Sequence, residues 1–386
     1  MRGQPLTHRL PRRLALLGFT LLVLFLPALA AGAAMDREPG AEELARIRAV
    51  LARTPAEGAL PGSLPGKHFF PLTLWALAPD EALQALERGG PGRQEVVTRA
   101  RFVGVLTHFL LAAFVYLALA PGRGRLVGLL AAGTLAALPP IALEGYVLRP
   151  EVPAAAASML AVALLLAAMA VERPLRSLPE LTRWSVRLAH FCAAGLLCGL
   201  AAAFHPRAGI LALLPTALLS LQTLGLIVAF PRVFRRHPAT LIPIRAIGQR
   251  TLPWIAAMLL WLWLCAIVIM IGYEPGTGAL APSASAVGVL PQNWLLRAPL
   301  LALAAFGVLR WVGAAGRRLT RGQRVGSEAV LLIFGALLVG QHARAGHGDA
   351  MLAAVPVAIA VAEGIAFCLR AVLRGHLRRQ GTMIAA

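Results

Sequence analysis

The chain is poor in acid: Asp and Glu number 17 against 37 Lys and Arg, and charged residues of both signs make up only 14% of its 386 positions. It has one lysine, Lys67, and otherwise relies on arginine for positive charge. Aromatic residues are scarce at 6%, with three tyrosines. So little charge beside 58% hydrophobic residues excludes a soluble globular domain. The four cysteines, Cys192, Cys198, Cys265 and Cys368, all fall in apolar stretches away from metal-ligand spacing, which fits small packing residues and excludes a disulfide framework. A Walker loop, a dinucleotide fingerprint, HExxH and GxSxG are all missing, so none of those chemistries is indicated.

What the chain has is apolar stretches of membrane-spanning length. A bilayer core takes about 20 apolar residues per helix, and unpaired backbone in lipid is costly enough that such stretches must be helical. The expected fold is all-α and polytopic, with about ten spans. They lie near Leu14–Ala34, Phe102–Ala120, Leu126–Leu143, Val152–Val171, Leu188–Phe204, Gly209–Phe230, Leu252–Tyr273, Trp294–Val312, Ala329–Gln341 and Met351–Val372. A formal charge of +20 invites a nucleic-acid reading, but the arginines occupy alternate short connections and form no continuous basic face. Their distribution follows the positive-inside rule, with added attraction to anionic headgroups, and places both termini in the cytoplasm. The first stretch also fits a cleavable signal peptide, which would leave nine spans.

Only one connection is both long and acidic, the segment from Met35 to Arg101. Within it Ala41–Ala52 has helical apolar spacing and reads as an amphipathic surface helix; Asp80–Arg88 is a second, followed by a turn at Gly89–Gly92. The expected organisation is one transmembrane domain over residues 1–386, with a core over 14–230 that includes the 35–101 loop, and further helices over 231–386.

Charged residues at span ends are functional candidates because the bilayer penalises them. At the end shared with the long loop they include Asp36, Glu38, Lys67, His68, Glu144, Arg149, Glu151, His205, Arg207, His342, Arg344, His347 and Asp349. A carboxylate amid arginine, lysine and histidine suits an anionic lipid-phosphate substrate. Cations hold the phosphate through charge-assisted hydrogen bonds, and a carboxylate deprotonates an incoming hydroxyl. Each group also has a plainer reading. Asp36 fits a solvated turn, Arg149 and Glu151 a local ion pair, and His205-Pro206-Arg207 an interfacial anchor. His108 and His190, inside spans, fit interhelical hydrogen bonding. His342 and His347 lack i,i+4 spacing and a clear third ligand, so no metal site is assigned and the need for a divalent metal stays open.

The order of these pieces resembles the GT-C class of membrane glycosyltransferases, in particular the protein O-mannosyltransferases and the bacterial aminoarabinose transferase. The resemblance runs over about residues 14 to 230. It rests on Asp36-Arg37-Glu38 after the first span, Gly66-Lys67-His68-Phe69-Phe70-Pro71-Leu72, and Ala100-Arg101-Phe102 at the second span. It continues with Leu138-Pro139-Pro140, Arg149-Pro150-Glu151-Val152-Pro153 and Gly195-Leu-Leu-Cys-Gly-Leu-Ala-Ala-Ala-Phe-His205-Pro206-Arg207. Here His-Phe-Phe replaces the family's proline pair after the lysine, and His205 with Arg207 replaces its Thr-Lys.

The resemblance implies transfer of a sugar from a polyprenyl-phosphate donor to a glycan, lipid or protein acceptor, on the extracytoplasmic side of the plasma (inner) membrane. It implies that Asp36 is the base and Glu151 a second carboxylate, that Lys67, Arg149, Arg207 and Arg344 bind the phosphate, and that Glu38, His68 and His205 support them. The bilayer is the other expected partner, and nucleic acid is not one. The competing readings are a transporter or flippase for an anionic lipid or solute, and a non-catalytic membrane relative.

Overall fold

The computed structural model describes residues 9–33, 35, 37–52, 79–144, 151–170, 180–221, 224, 255–268, 288–320, 326–345 and 350–384. Among them there is no strand. The elements are α1 (Arg9–Gly32), α2 (Ala41–Ala52), α3 (Pro79–Arg88), α4 (Gly90–Arg123), α5 (Arg125–Ala137), α6 (Pro139–Glu144), α7 (Glu151–Ala170) and α8 (Glu180–Phe204). A 3-10 segment, Pro206–Leu213, follows, then α9 (Ile255–Val268), α10 (Trp294–Thr320), α11 (Ser327–Ala345) and α12 (Ala350–Ile384).

Five of the described helices contain stretches long and apolar enough to cross a membrane: Gly90–Arg123, Glu151–Met169, Ser185–Phe204, Trp294–Thr320 and Ala350–Leu373. Four of the other expected spans coincide with shorter apolar helices, Leu16–Ala30, Arg125–Ala137, Arg207–Leu221 and Ile255–Val268. The ninth expected span lies in α11, which is 19 residues long, with Glu328 in its first turn and Arg344 in its last. The protein is an all-α polytopic membrane protein.

Helix α4 organises the molecule. Its 34 residues extend about 51 Å at roughly 1.5 Å per residue, well beyond a hydrocarbon core of about 30 Å. The surplus lies at its beginning. There Val96, Val97, Ala100 and Val103 turn one face to Ile47 and Leu51 of α2 and to Ala82 and Leu86 of α3. The apolar stripe of α2 is therefore covered by protein, where its amphipathic pattern had indicated the membrane surface. The expected turn at Gly89–Gly92 is also shorter, because the helix resumes at Gly90.

At the far end of α4, Gly124 adopts φ 100°, a conformation open to glycine, and reverses the chain between Arg123 and Arg125. Helix α5 then returns along α4 and stops at Leu138, whose extended backbone (ψ 141°) suits a residue before proline. This brings the start of α7 back to the end where α2 and α3 sit, called here the loop end. The opposite end, where Arg123 lies, is the arginine end.

Behind α4 the main core is alanine-rich. Helices α7 and α8 pack along their length, with Ala154, Ala155, Ala161, Ala194 and Ala201 buried between helices. Small side chains let helices approach closely in lipid, where no hydrophobic effect drives them together. Helices α10 and α12 meet more tightly still. A Cβ placed at Gly307 would fall on the carbonyl oxygen of Ala360, and one at Gly364 on that of Leu303, so each helix lends a glycine to the other's backbone.

Two histidines differ from their sequence reading. His108 Nδ1 lies 2.7 Å from the Gly104 carbonyl and His190 Nδ1 2.7 Å from that of Val186, both four residues back on the same helix. They satisfy their own turn and do not bridge helices. Cys198 and Cys265 are buried packing residues, as expected, and the Cys265 thiol donates to the Gly195 carbonyl at 3.0 Å.

Candidate functional site

The loop end gathers charge in two places. The first is a clamp around Arg101, a side chain fully buried at the base of α4. Its Nε and Nη2 donate to the two carboxylate oxygens of Glu43 on α2, both at 2.8 Å. This is the two-pronged geometry that guanidinium and carboxylate share, and the strongest kind of ion pair. Its remaining terminal nitrogen, Nη1, donates to the carbonyls of Met35 at 2.5 Å and Arg37 at 2.6 Å. One guanidinium thus ties α2 to α4 and fixes the backbone on both sides of position 36.

The second is a buried pair. Glu151 opens α7 and is 2% exposed; an acid in the first turn is favoured by the positive end of the helix dipole. His205 follows α8 and is 3% exposed. Pro206 pushes it into an extended backbone (φ −146°, ψ 110°), which ends α8 and starts the 3-10 segment. The His205 amide still donates to the Ala201 carbonyl at 2.9 Å, and its own carbonyl accepts from the Ala208 amide at 2.8 Å. Because α7 and α8 pack side by side, His205 Nε2 comes to 3.8 Å from Glu151 Oε1. A buried carboxylate beside an imidazole can hold a proton or pass one on, and can orient a hydroxyl.

Of the other site residues expected from the sequence, Arg207 lies half-buried on the 3-10 segment, which packs against α7, α8 and α11. Arg344 is exposed in the last turn of α11. Helix α11 carries His342 and Arg344 as far as Ala345, past Gln341, where the ninth span was expected to end. Glu38 is exposed between α1 and α2. Asp36, Lys67, His68, Arg149, His347 and Asp349 lie outside the described residues. The structure thus brings Glu151, His205 and the segment carrying Arg207 together; Glu38 and Arg344 are exposed, and neither is brought against that pair.

Sequence reasoning missed Arg101 and Glu43. The signal was present: Glu43, Ile47 and Leu51 share the i, i+4, i+8 face of α2, so an acid sits on the stripe that should be wholly apolar. Among the described residues no group of three or more histidine, cysteine or acidic side chains is placed to hold a metal ion.

No family model matches the chain. No curated protein matches it either. Two solved structures do. One is the archaeal oligosaccharyltransferase AglB from Archaeoglobus fulgidus in complex with an inhibitory peptide and a dolichol-phosphate, at a TM-score of 0.53 and 15% identity, covering 94% of this chain and 51% of that one. The other is an Archaeoglobus fulgidus oligosaccharyltransferase tethered with an acceptor peptide containing the NVT sequon, at 0.51 and 14%, covering 90% of this chain and 49% of that one. The chain spans about half the length of these structures. At such identity the likeness is one of fold alone: this chain shares the helical architecture of about half of each of these oligosaccharyltransferase structures.

Proposed function

We infer that the protein is a membrane glycosyltransferase. It moves a sugar from a polyprenyl-phosphate donor to an acceptor hydroxyl or amide, at the extracytoplasmic end of its helices in the plasma membrane. The observation that carries this reading is the buried Glu151–His205 pair at the loop end, within a fold shared with a protein whose structure holds a dolichol-phosphate. Asp36 acts as the base that activates the acceptor, and Glu151 as the second carboxylate, oriented by His205. Lys67, Arg149 and Arg207 bind the donor phosphate and stabilise the charge that grows on it as the glycosidic bond breaks. The Arg101 clamp supports this by fixing Met35 and Arg37. Residues 14–230 supply the core of the site, and residues 231–386 add the late helices around it.

The test is incubation of membranes containing the protein with a panel of polyprenyl-phosphate sugars. Asp36→Asn is expected to abolish transfer with membrane insertion intact, and Glu151→Gln to reduce it severely. Full activity in the Asp36 variant would remove the assignment. Arg344 adds a phosphate contact from the late helices. A charged hydrogen bond is worth about 1.5–3 kcal/mol, so Arg344→Ala should weaken donor use by roughly 10- to 100-fold at unchanged expression. Kinetics equal to wild type would make that end of α11 a connector only.

A further inference from the structure

The arginine end of the molecule holds a second, separate charge cluster, which sugar transfer does not use. It is an alternating chain across four helices. Arg310 of α10 donates to Glu363 of α12 at 3.0 Å, and the other oxygen of Glu363 lies 2.6 Å from Arg123 Nε at the end of α4. Arg123 Nη1 donates to Glu328 of α11 at 2.9 Å, and Glu328 lies 3.7 Å from Arg318, back on α10. Arg370 of α12 adds a bond to the Arg123 carbonyl at 3.4 Å. The chain begins and ends on α10 and passes through each of the other three helices.

Charge does not balance within it. Four guanidinium groups (Arg123, Arg310, Arg318, Arg370) face two carboxylates (Glu328, Glu363), leaving an excess of two positive charges. The carboxylates are on the inside, with side chains 9% and 2% exposed, whereas Arg310 and Arg318 are 32% and 43% exposed. The surplus therefore faces outward. Donor capacity remains at the exposed end of the chain: a guanidinium carries five N–H groups, and among the described residues Arg310 gives one hydrogen bond.

The surroundings specify the anion. Arg310 lies 5.5 Å from the ring centre of Phe367, and Phe367 packs on Phe306 with ring centres 4.9 Å apart. Around them Leu309, Leu369 and Val372 are exposed at 66%, 43% and 71%, a surface that belongs in hydrocarbon. Half-exposed guanidinium groups bordering an apolar seam fit a ligand with a phosphate at one end and acyl chains at the other. Basic pockets between transmembrane helices hold anionic headgroups by this combination.

We propose that the seam between α10 and α12 at the arginine end is a binding site for an anionic phospholipid. Arg310 takes the headgroup phosphate, and Phe306, Phe367 and Leu369 take the acyl chains. Arg318, about two turns further along α10 and turned to Glu328 of α11, adds attraction for the headgroup's charge. The site is at the opposite end of the helices from Glu151 and His205, and it stands whether or not the protein transfers sugar.

The test uses the purified full chain in neutral detergent, with lipid retention read by native mass spectrometry and the thermal midpoint followed in parallel. Phosphatidylglycerol is compared with phosphatidylcholine of the same acyl chains and with soluble inorganic phosphate. Phosphatidylglycerol is expected to be retained and to raise the midpoint. Arg310→Gln should lower that retention about tenfold, the effect of losing one charged hydrogen bond. Glu363 keeps Arg123 as a partner in that variant, so the fold should stand, and Arg318→Gln provides a second, independent loss. Arg297→Gln, at the other end of α10, should retain lipid as wild type does. Equal retention of phosphatidylcholine, retention unchanged in both the Arg310 and Arg318 variants, or an equal midpoint shift from inorganic phosphate alone would each overturn the proposal.

Discussion

Replacing Arg101 with methionine should cost about 3–5 kcal/mol of stability, the range for breaking one side of a buried ion pair. Among the described residues the loss has two sources. Glu43, with a side chain 5% exposed, keeps its charge without the partner that both of its oxygens meet. The carbonyls of Met35 and Arg37 lose their donor at the same time. Lysine should not rescue, because a single ammonium cannot reproduce the planar fork that serves a carboxylate and two carbonyls together. Thermal unfolding in detergent gives the stability. A cycle with Glu43→Leu separates the pair from the carbonyl bonds: the double variant should recover part of the loss, since an apolar pair removes the stranded charge. Sugar transfer should fall in all of these variants, through disorder of the backbone beside Asp36. An Arg101→Met protein that unfolds at the wild-type temperature would show the clamp to be energetically idle.

The second large effect is expected at the α10–α12 crossing. Gly307→Leu or Gly364→Leu must push a side chain into the facing backbone, since even a Cβ has no room at either position. Overpacking costs roughly 1–3 kcal/mol where neighbouring side chains can shift. Here the obstacle is a helix backbone, so the upper end of that range, about 3 kcal/mol, is expected. Gly316→Leu on the same helix is the control, with nothing within 4 Å of its Cβ, and should stay within about 0.5 kcal/mol of wild type. Comparable losses in all three would point to helix propensity or lipid contact, not to the crossing.

Much of this fold is legible in the sequence because lipid imposes a plain rule: long apolar stretches must be helices. The two loop helices are readable too, since Ala41–Ala52 and Asp80–Arg88 have helical apolar spacing. The true start of α4 is harder to see. The run from Gly90 to Arg101 is rich in charge and reads as loop, yet it stays helical because Val96, Val97 and Ala100 find partners in α2 and α3. Which faces meet is a property of tertiary packing, and no local spacing reports it. The same holds for the site. Glu151 and His205 can each be singled out as polar groups at span ends. Their pairing follows from α7 and α8 lying side by side, which is not written near either residue. The ion chain at the arginine end is only partly hidden. Arg123 is one of many arginines in the positive-inside pattern. Arg310 and Glu363, however, fall inside the expected spans Trp294–Val312 and Met351–Val372, where the bilayer penalises charge, and that signal was passed over.

The Arg101 clamp bears on how the chain enters the membrane during synthesis. A helix that carries a bare guanidinium beside its apolar run inserts at a penalty. Its counter-charge, Glu43, lies earlier in the chain, on α2. By the time α4 leaves the ribosome, α1 and α2 have already emerged, so the carboxylate is available before the arginine needs it. The translation order thus lets the heaviest polar burden of α4 be neutralised as it is delivered. A chain permuted to place α2 after α4 would have to hold that charge alone until synthesis caught up.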